Sequence, residues 1–129
     1  MNGSQLACIP MLLAGLIAGN AGAQSETAAF AADFERFRAA IRADDAEAAA
    51  DLTALPFLFD GRPRDRAGFL AEVYPALFDA EVRECIAAAE PAQEESHFVV
   101  YCGTYIFYFG RTAGGYRLQD FVADPEASE

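Results

Sequence analysis

The sequence predicts an α+β domain in which helices come first and antiparallel strands follow. Apolar residues recur at helical spacing over the first two thirds of the chain, whereas residues 97–109 are almost all β-branched, aromatic or small. The chain has 129 residues, of which 53% are hydrophobic and 12% aromatic. This composition can build the core of one globular domain, and it excludes an intrinsically disordered chain.

The N-terminal segment is predicted to be a signal peptide that is cleaved off. Residues 6–18 form an apolar run, and Ala21-Gly22-Ala23 then supplies the small-x-small pattern that signal peptidases accept. The run is shorter than the roughly 20 residues that a membrane-spanning helix needs, so a permanent membrane helix is the weaker alternative. The sequence therefore predicts a signal peptide over 1–23, cleavage after Ala23, and a periplasmic or secreted domain over 24–129.

The charge of the chain limits the classes of partner. Nine basic residues stand against 20 acidic ones, which gives a formal net charge of −11 at pH 7. A chain this acidic repels phosphate backbones and anionic lipid headgroups. We therefore expect no nucleic-acid partner, and no membrane association after signal cleavage.

Two cysteines, Cys85 and Cys102, remain once the signal peptide is removed. Disulfides persist in exported proteins, so we expect these two residues to be bonded to each other, with two buried free thiols as the alternative. Closing a loop of about 17 residues removes about 3 kcal/mol of unfolded-state freedom in the chain-entropy model. A catalytic thiol is less favoured, because His97 is the only imidazole that could activate one.

The first helix is predicted to begin at Ser25, which can act as its N-cap. Phe30, Phe34, Phe37 and Ile41 then recur at steps of four, three and four. This spacing places the four side chains on one stripe of the helix, which we expect to face the core.

A second, shorter helix is predicted to begin at Asp44 or Asp45, where an acidic residue three positions later resembles a capping box. The alanine-rich stretch that follows favours a helix up to Leu52 or Leu55. Pro56 is expected to end it.

Residues 57–59 are predicted to form a short buried strand, which the Asp60-Gly61 turn ends. Residues 62–66 then form a loop in which Asp65 can cap a third helix. Tyr74-Pro75 should kink or restart this helix, because proline lacks the N–H donor that a helix interior requires. The buried face of this helix is predicted to carry Phe69, Leu70, Val73, Leu77 and Phe78.

A last helix of one or two turns is predicted to begin at the cap Asp79 and to end at Glu90-Pro91. Its inward residues are expected to be Val82, Cys85 and Ile86.

Residues 97–109 are predicted to form one long strand, and Gly114-Gly115 the turn into a second strand over 116–122. A straight strand of that length would span about 43 Å, whereas a domain of this size has a radius of gyration of about 13 Å. The strand must therefore bend, and Gly103 is the predicted position of the bulge that bends it.

One face of this predicted strand carries apolar side chains that the helices do not cover. If Cys102 bonds to Cys85, the helices cover its face, and the opposite face carries Tyr101, Tyr105 and Phe107. A bulge at Gly103 would reverse the alternation halfway and reduce this surplus. An apolar face without cover suggests a homodimer through the sheet.

The order of elements resembles the nuclear transport factor 2-like superfamily. The resemblance covers nearly all of residues 24–129 and rests on the phenylalanine-striped first helix, the PFLFDG strand, the FLAEVYPALFDAEV helix and the terminal GGYRLQDF strand. It implies N-terminal helices packed in a curved antiparallel sheet, a cystatin-like cone with a pocket at its open end and frequent dimerisation through the sheet. The superfamily includes ketosteroid isomerases, polyketide cyclases and many noncatalytic modules, so the fold alone determines no function.

The candidate catalytic residues are two aspartates, Asp60 at the end of the short strand and Asp120 on the last strand. An isomerase-like site needs a carboxylate base in an apolar pocket, opposite hydrogen-bond donors such as Tyr101, Tyr105 or Tyr116. The favoured alternative is that Asp60 is a turn residue, that Asp120 is a solvated strand residue and that the tyrosines belong to the core or an interface.

Three arginines, Arg62, Arg64 and Arg66, lie within five residues of an otherwise acidic chain. They come just before the third helix, whose free N–H groups also favour an anion, so this segment is a candidate site for a carboxylate or a phosphate. The favoured alternative is that these arginines pair with Asp60, Asp65 and the acidic helices.

The sequence therefore favours a small exported binding module without catalysis, which holds a small apolar or anionic ligand or a partner protein of the cell envelope. The alternative is an isomerase-like or cyclase-like enzyme with an aspartate general base. We expect no cofactor and no metal, since His97 beside Glu94 and Glu95 lacks a full set of ligands. The predicted ligand-binding residues are Phe57, Phe59, Tyr101, Tyr105, Tyr116, Arg62 and Arg64.

Overall fold

The computed structural model describes residues 21–123, and within them the fold is α+β, as the sequence predicts. The helices are α1 (Ala21–Arg42), α2 (Ala46–Asp51), α3 (Arg66–Gly68), α4 (Tyr74–Leu77) and α5 (Ala80–Ala88). The strands are β1 (Phe57–Phe59), β2 (Arg62–Arg64), β3 (Ala92–Glu94), β4 (His97–Cys102), β5 (Tyr105–Thr112) and β6 (Gly115–Ala123). Strands β3 to β6 form an antiparallel sheet in chain order, and β1 pairs with β2 in a separate hairpin.

The phenylalanine stripe of α1 is confirmed. Phe30, Phe34, Phe37 and Ile41 are all buried. The predicted N-cap at Ser25 is wrong, because α1 already includes Ala21 and the small residues ahead of Ser25 continue the helix. The apolar run over 6–18 lies outside the described residues, and the predicted cleavage point after Ala23 falls in the first turn of α1.

Aspartates cap three of the helices at the predicted places. The side chain of Asp45 accepts a hydrogen bond from the N–H of Ala48 at 3.1 Å. Asp65 and Asp79 accept equivalent bonds from the residues three positions later, each at 2.9 Å. Each bond satisfies one of the free N–H groups of a first helical turn. Helix α2 ends at Asp51, so its end agrees with the shorter of the two predicted lengths.

The third helical segment restarts near its proline, as predicted. A wider π-type turn over Phe69–Val73 joins α3 to α4, and Pro75 lies in the first turn of α4. Such turns are found where a helix must accommodate a proline or change direction. Phe69, Val73, Leu77 and Phe78 are buried on this segment, whereas Leu70 is only half-buried.

The prediction of a loop over 62–66 is wrong for its first three residues, which form β2. Asp60 and Gly61 both have positive φ, at 54° and 78°. Two such residues in a row form the type I′ turn of a two-residue hairpin, so the chain folds straight back and Arg64 pairs with Phe57.

The prediction of one long strand with a bulge at Gly103 is also wrong. Cys102 pairs with Tyr105, so Gly103-Thr104 is a two-residue turn between β4 and β5. Gly103 has φ of +63°, and a glycine with positive φ at the first loop position is typical of a type II′ hairpin turn. The bulge in this sheet lies elsewhere, between Tyr108 and Phe109 of β5 and the facing part of β6.

The turn at Gly103 reverses which residues of β5 face the helices. Phe107 and Phe109 are buried in the main core beside Phe98, Val100 and Cys102 of β4. The prediction that Tyr105 and Phe107 lie on the uncovered apolar face with Tyr101 is therefore wrong, since both lie on the inner side of the sheet. The outer side of β5 carries Ile106 and Tyr108 instead, because side chains alternate along a strand.

Aromatic rings join helix α1 to the sheet, and one backbone hydrogen bond covers part of the sheet edge. Phe30 of α1 stacks on Phe98 of β4 with ring centroids 3.9 Å apart, and Phe37 meets Phe109 at 5.1 Å. At the open edge of β6, the N–H of Ala54 donates to the carbonyl of Leu118 at 2.7 Å. This hydrogen bond satisfies a backbone carbonyl on a strand edge that would otherwise be free to pair with another chain.

Candidate functional site

The outer face is the side of the β3–β6 sheet that points away from the helices. In β4, β5 and β6 its members alternate with the buried core residues and pair with one another across the strands. It consists of Glu94 on β3 and of His97, Val99, Tyr101, Ile106, Tyr108, Asp120 and Val122 on the other three strands.

An apolar row crosses three strands of the outer face. Tyr101 pairs with Ile106, and Ile106 pairs with Val122. Tyr101 is 55% exposed and Val122 is 44% exposed. This row is a continuous apolar strip at the surface, which is typical of a surface that contacts another molecule.

Tyr101 also covers part of the outer face itself. Its hydroxyl donates a hydrogen bond to Oε2 of Glu94, which raises the pKa of the tyrosine above its usual value of 10.0. Tyr101 and Glu94 lie on opposite sides of the Ala92–Val99 pair, so the tyrosine side chain extends over that pair. This explains why Val99 is fully buried although it lies outside the core cluster between the helices and the sheet.

The outer face carries little charge. Its acidic members are Asp120 on β6 and Glu94 on β3, which accepts the hydrogen bond from Tyr101. The chain as a whole carries −11. The excess of acidic residues is therefore concentrated on other parts of the surface.

Three of the predicted ligand-binding residues come together around a fourth that the sequence analysis missed. Phe57, Phe59 and Tyr105 each lie about 6 Å from the ring centroid of Phe121, at 6.0, 6.0 and 5.9 Å. Phe57 is fully buried, and the others are half-buried. These rings fill the space between the β1–β2 hairpin and the sheet. Finding Phe121 from the sequence would have required the position of the bulge, because the bulge determines which residues of β6 face the core.

Tyr116 and Tyr101 are separated from this group. Tyr116 is buried and meets Phe30 and Phe98 edge-on, with ring centroids 5.6 and 5.5 Å apart. Tyr101 lies on the outer face. The three tyrosines that were candidate donors to one bound oxygen therefore occupy three different surroundings.

Neither candidate catalytic aspartate lies in an apolar pocket. Asp60 is exposed in the turn between β1 and β2. Asp120 is exposed on the outer face, where its Oδ1 accepts the N–H of Phe121 at 2.8 Å. Both positions match the alternative of a turn residue and a solvated strand residue, and neither supplies the desolvated base that an isomerase-like site requires.

The arginine segment is largely paired within the chain. Arg64 is buried, forms an ion pair with Glu72, and donates to the carbonyl of Phe59 at 3.2 Å. Arg66 donates to Asp51 at 2.7 Å. The acidic partners are on α2 and on the π-type turn, which confirms the predicted pairing with the acidic helices. The ion pairs of the described residues do not include the predicted partners Asp60 and Asp65. Arg62 is exposed, at the rim of an open depression of about 590 Å³.

A cavity of about 530 Å³ lies between α5 and the β4–β5 turn. Its wall includes both cysteines, which form the predicted disulfide with a Cα–Cα distance of 5.8 Å. Tyr105 is the only predicted ligand-binding residue in the described wall, and Asp79 and Glu81 lie at its rim. Carboxylates at the rim make this cavity unfavourable for the anionic ligand that the sequence analysis considered.

Within residues 21–123, no group of three or more His, Cys, Asp or Glu side chains is placed to hold a metal ion. In the same part of the chain, no helix is both long and apolar enough to cross a membrane. Comparisons of the chain with protein-family models, with curated proteins and with solved structures find no match.

Proposed function

We propose that this protein is an exported, noncatalytic binding module that contacts another protein chain through the outer face of its sheet. The observation that carries the proposal is the apolar row Tyr101–Ile106–Val122, in which Tyr101 and Val122 are exposed and Ile106 is half-buried. The disulfide is consistent with export, because such bonds persist in oxidising compartments. Membership of the nuclear transport factor 2-like superfamily is part of the proposal, and the order of helices, hairpin and four-stranded sheet supports it.

We propose that the chain on this face is a second copy. Two copies that carry −11 each repel one another, and the repulsion is smallest where each surface is closest to neutral. The outer face combines low charge with exposed apolar side chains. A symmetric dimer also lets the same patch serve both subunits.

The test is the mass of the purified protein in solution, for the wild type and for two variants. Ile106→Lys places a charge in the middle of the apolar row, and lysine adds no negative charge that would itself increase repulsion. Leu58→Lys is the matched control, because Leu58 is 53% exposed on β1, away from the outer face.

We expect the wild type and Leu58→Lys to sediment as dimers and Ile106→Lys as a monomer. If all three proteins are dimers, the outer face is not the contact. If the wild type is a monomer, the second copy is excluded. Photocrosslinkers at 106 and 122, with one at 58 as the control, then test for a different protein in the cell envelope. Equal labelling at all three positions would refute the outer face as a docking surface.

A further inference from the structure

The disulfide lies in the wall of an open cavity, and its two cysteines are not equally exposed. Cys102 is 2% exposed, at the end of β4. Cys85 is half-buried, on α5. A thiol that enters the cavity therefore has more access to Cys85 than to Cys102. Access of this kind helps to decide which sulfur is attacked in thiol–disulfide exchange.

The approach to Cys85 is negatively charged. Asp79 and Glu81 lie at the rim of the cavity, and Glu84 is exposed next to Cys85 on α5. Glu81 precedes Cys85 by four positions on this helix, so the two side chains lie on the same face. An anionic thiol is repelled here, and a thiol that carries a positive charge is attracted.

We propose that the Cys85–Cys102 disulfide is a thiol-exchange site, attacked at Cys85 and selective for thiols that carry a positive charge. The attacking thiolate forms a bond to Sγ of Cys85, the bond between the two cysteines breaks, and its electron pair leaves on Sγ of Cys102, which takes a proton from water. A second thiol of the reductant then attacks the mixed disulfide, releases Cys85 as a thiolate and leaves the reductant oxidised. The partner in the cell envelope would be a dithiol reductant with a basic surface around its reactive cysteine.

Helix α5 is attached to the rest of the fold by contacts other than the disulfide. Ile86 and Val82 are buried in the core. Arg38 of α1 donates to the carbonyl of Ala87 at 2.6 Å, near the C-terminal end of α5. Exchange therefore acts on the folded protein and does not require global unfolding. This inference is independent of the outer face, which lies on the other side of the sheet.

The experiment exposes the oxidised protein to three small thiols at equal thiolate concentration, with a correction for their different nucleophilicity. The thiols are cysteamine, which is cationic, 2-mercaptoethanol, which is neutral, and 2-mercaptoethanesulfonate, which is anionic. Early time points are quenched with acid, free thiols are alkylated, and peptide mass mapping assigns the mixed disulfide to Cys85 or Cys102.

We expect the mixed disulfide on Cys85, with cysteamine about fivefold faster than the anionic thiol at low salt. The ratio should fall towards one at about 1 M salt, where the Debye length is about 3 Å. Glu81→Gln should reduce the ratio, whereas Glu47→Gln, an equal change of charge on α2, should leave it nearly unchanged.

Three results would overturn the proposal. One is a mixed disulfide that forms first on Cys102. Another is a rate that does not depend on the charge of the thiol. The last is exchange that occurs only at the rate of global unfolding, as measured by hydrogen exchange in the same buffer.

Discussion

Oδ2 of Asp33 in helix α1 accepts a hydrogen bond from the backbone N–H of Tyr116 in strand β6, at 2.8 Å. The two residues are 83 positions apart in the chain. This contact joins the first helix to the last hairpin at the point where the β5–β6 turn ends. It is one of few polar contacts in an interface that is otherwise built from aromatic rings.

Replacing Asp33 with Ala is expected to destabilise the protein by about 1–2 kcal/mol, because the partly buried N–H of Tyr116 loses its acceptor. Urea denaturation followed by circular dichroism measures the change. Asp33→Asn keeps an acceptor oxygen and should recover at least half of the loss. Equal losses in the two variants would mean that charge, and not this hydrogen bond, accounts for the effect.

Gly115→Ala is expected to destabilise the same contact from the other side, by about 1–3 kcal/mol. Gly115 has φ of +120°, and a Cβ there would lie 2.8 Å from Oδ2 of Asp33. The matched control is Gly114→Ala, whose Cβ would meet only the flexible end of Arg117, at 3.2 Å. Thermal melting compares the two variants. The interpretation is wrong if Gly114→Ala lowers the melting temperature as much as Gly115→Ala.

Arg38→Met is expected to destabilise the protein by about 2 kcal/mol, because it removes a charged donor from the C-terminal end of α5. The guanidinium donates to the carbonyls of Ala87 and Ala89 at 2.6 and 3.3 Å, and it lies over the ring of Phe34. Arg36→Met is the control, since Arg36 is exposed and pairs only with Asp33 one turn earlier. Hydrogen exchange should show α5 opening more often in Arg38→Met alone. Uniform acceleration over the whole chain would contradict a local capping role.

The raised pKa of Tyr74 predicts that the protein loses stability at alkaline pH. Burial, followed by the hydrogen bond from its hydroxyl to Oδ1 of Asp44 at 2.9 Å, raises the pKa of this tyrosine above its usual value of 10.0. The folded state therefore holds the proton more tightly than the unfolded state. The stabilisation is complete below pH 10 and is lost as the pH rises through the folded pKa, at up to about 1.4 kcal/mol per pH unit.

Urea denaturation at a series of pH values above about 9 measures this slope. Tyr74→Phe should reduce it, at the cost of the hydrogen bond to Asp44. A slope that survives in Tyr74→Phe would assign the alkaline transition to another group.

Much of the fold follows from local rules in the sequence. The stripe of Phe30, Phe34 and Phe37 predicted the buried face of α1, because helical spacing alone determines which side chains share a face. Asp45, Asp65 and Asp79 cap helices for a similar reason, since an N-cap needs only one acceptor within three residues. The pairing of Cys85 with Cys102 required no more than a count of cysteines and an exported compartment.

The candidate site required information that local rules do not contain. A glycine in a β-rich run is compatible with either a bulge or a tight turn, and the choice depends on which partner strand Gly103 allows the chain to meet. The turn reversed the alternation along β5, so Phe107 became core and Ile106 became surface. The sequence therefore placed an uncovered apolar face on this sheet and included Tyr101 in it, but it named Tyr105 and Phe107 where the structure has Ile106 and Val122.

The sequence by itself determined the α+β class, the helical stripes, the caps and the disulfide, because each depends on spacing within one segment or on composition. Only the tertiary structure decided that Arg64 pairs with Glu72, that Phe57, Phe59 and Tyr105 meet at Phe121, and that Asp60 and Asp120 are exposed. Those relationships depend on how separate segments pack together. Packing is determined by the register of the sheet, which one turn at Gly103 can reverse for every residue that follows it in the strand.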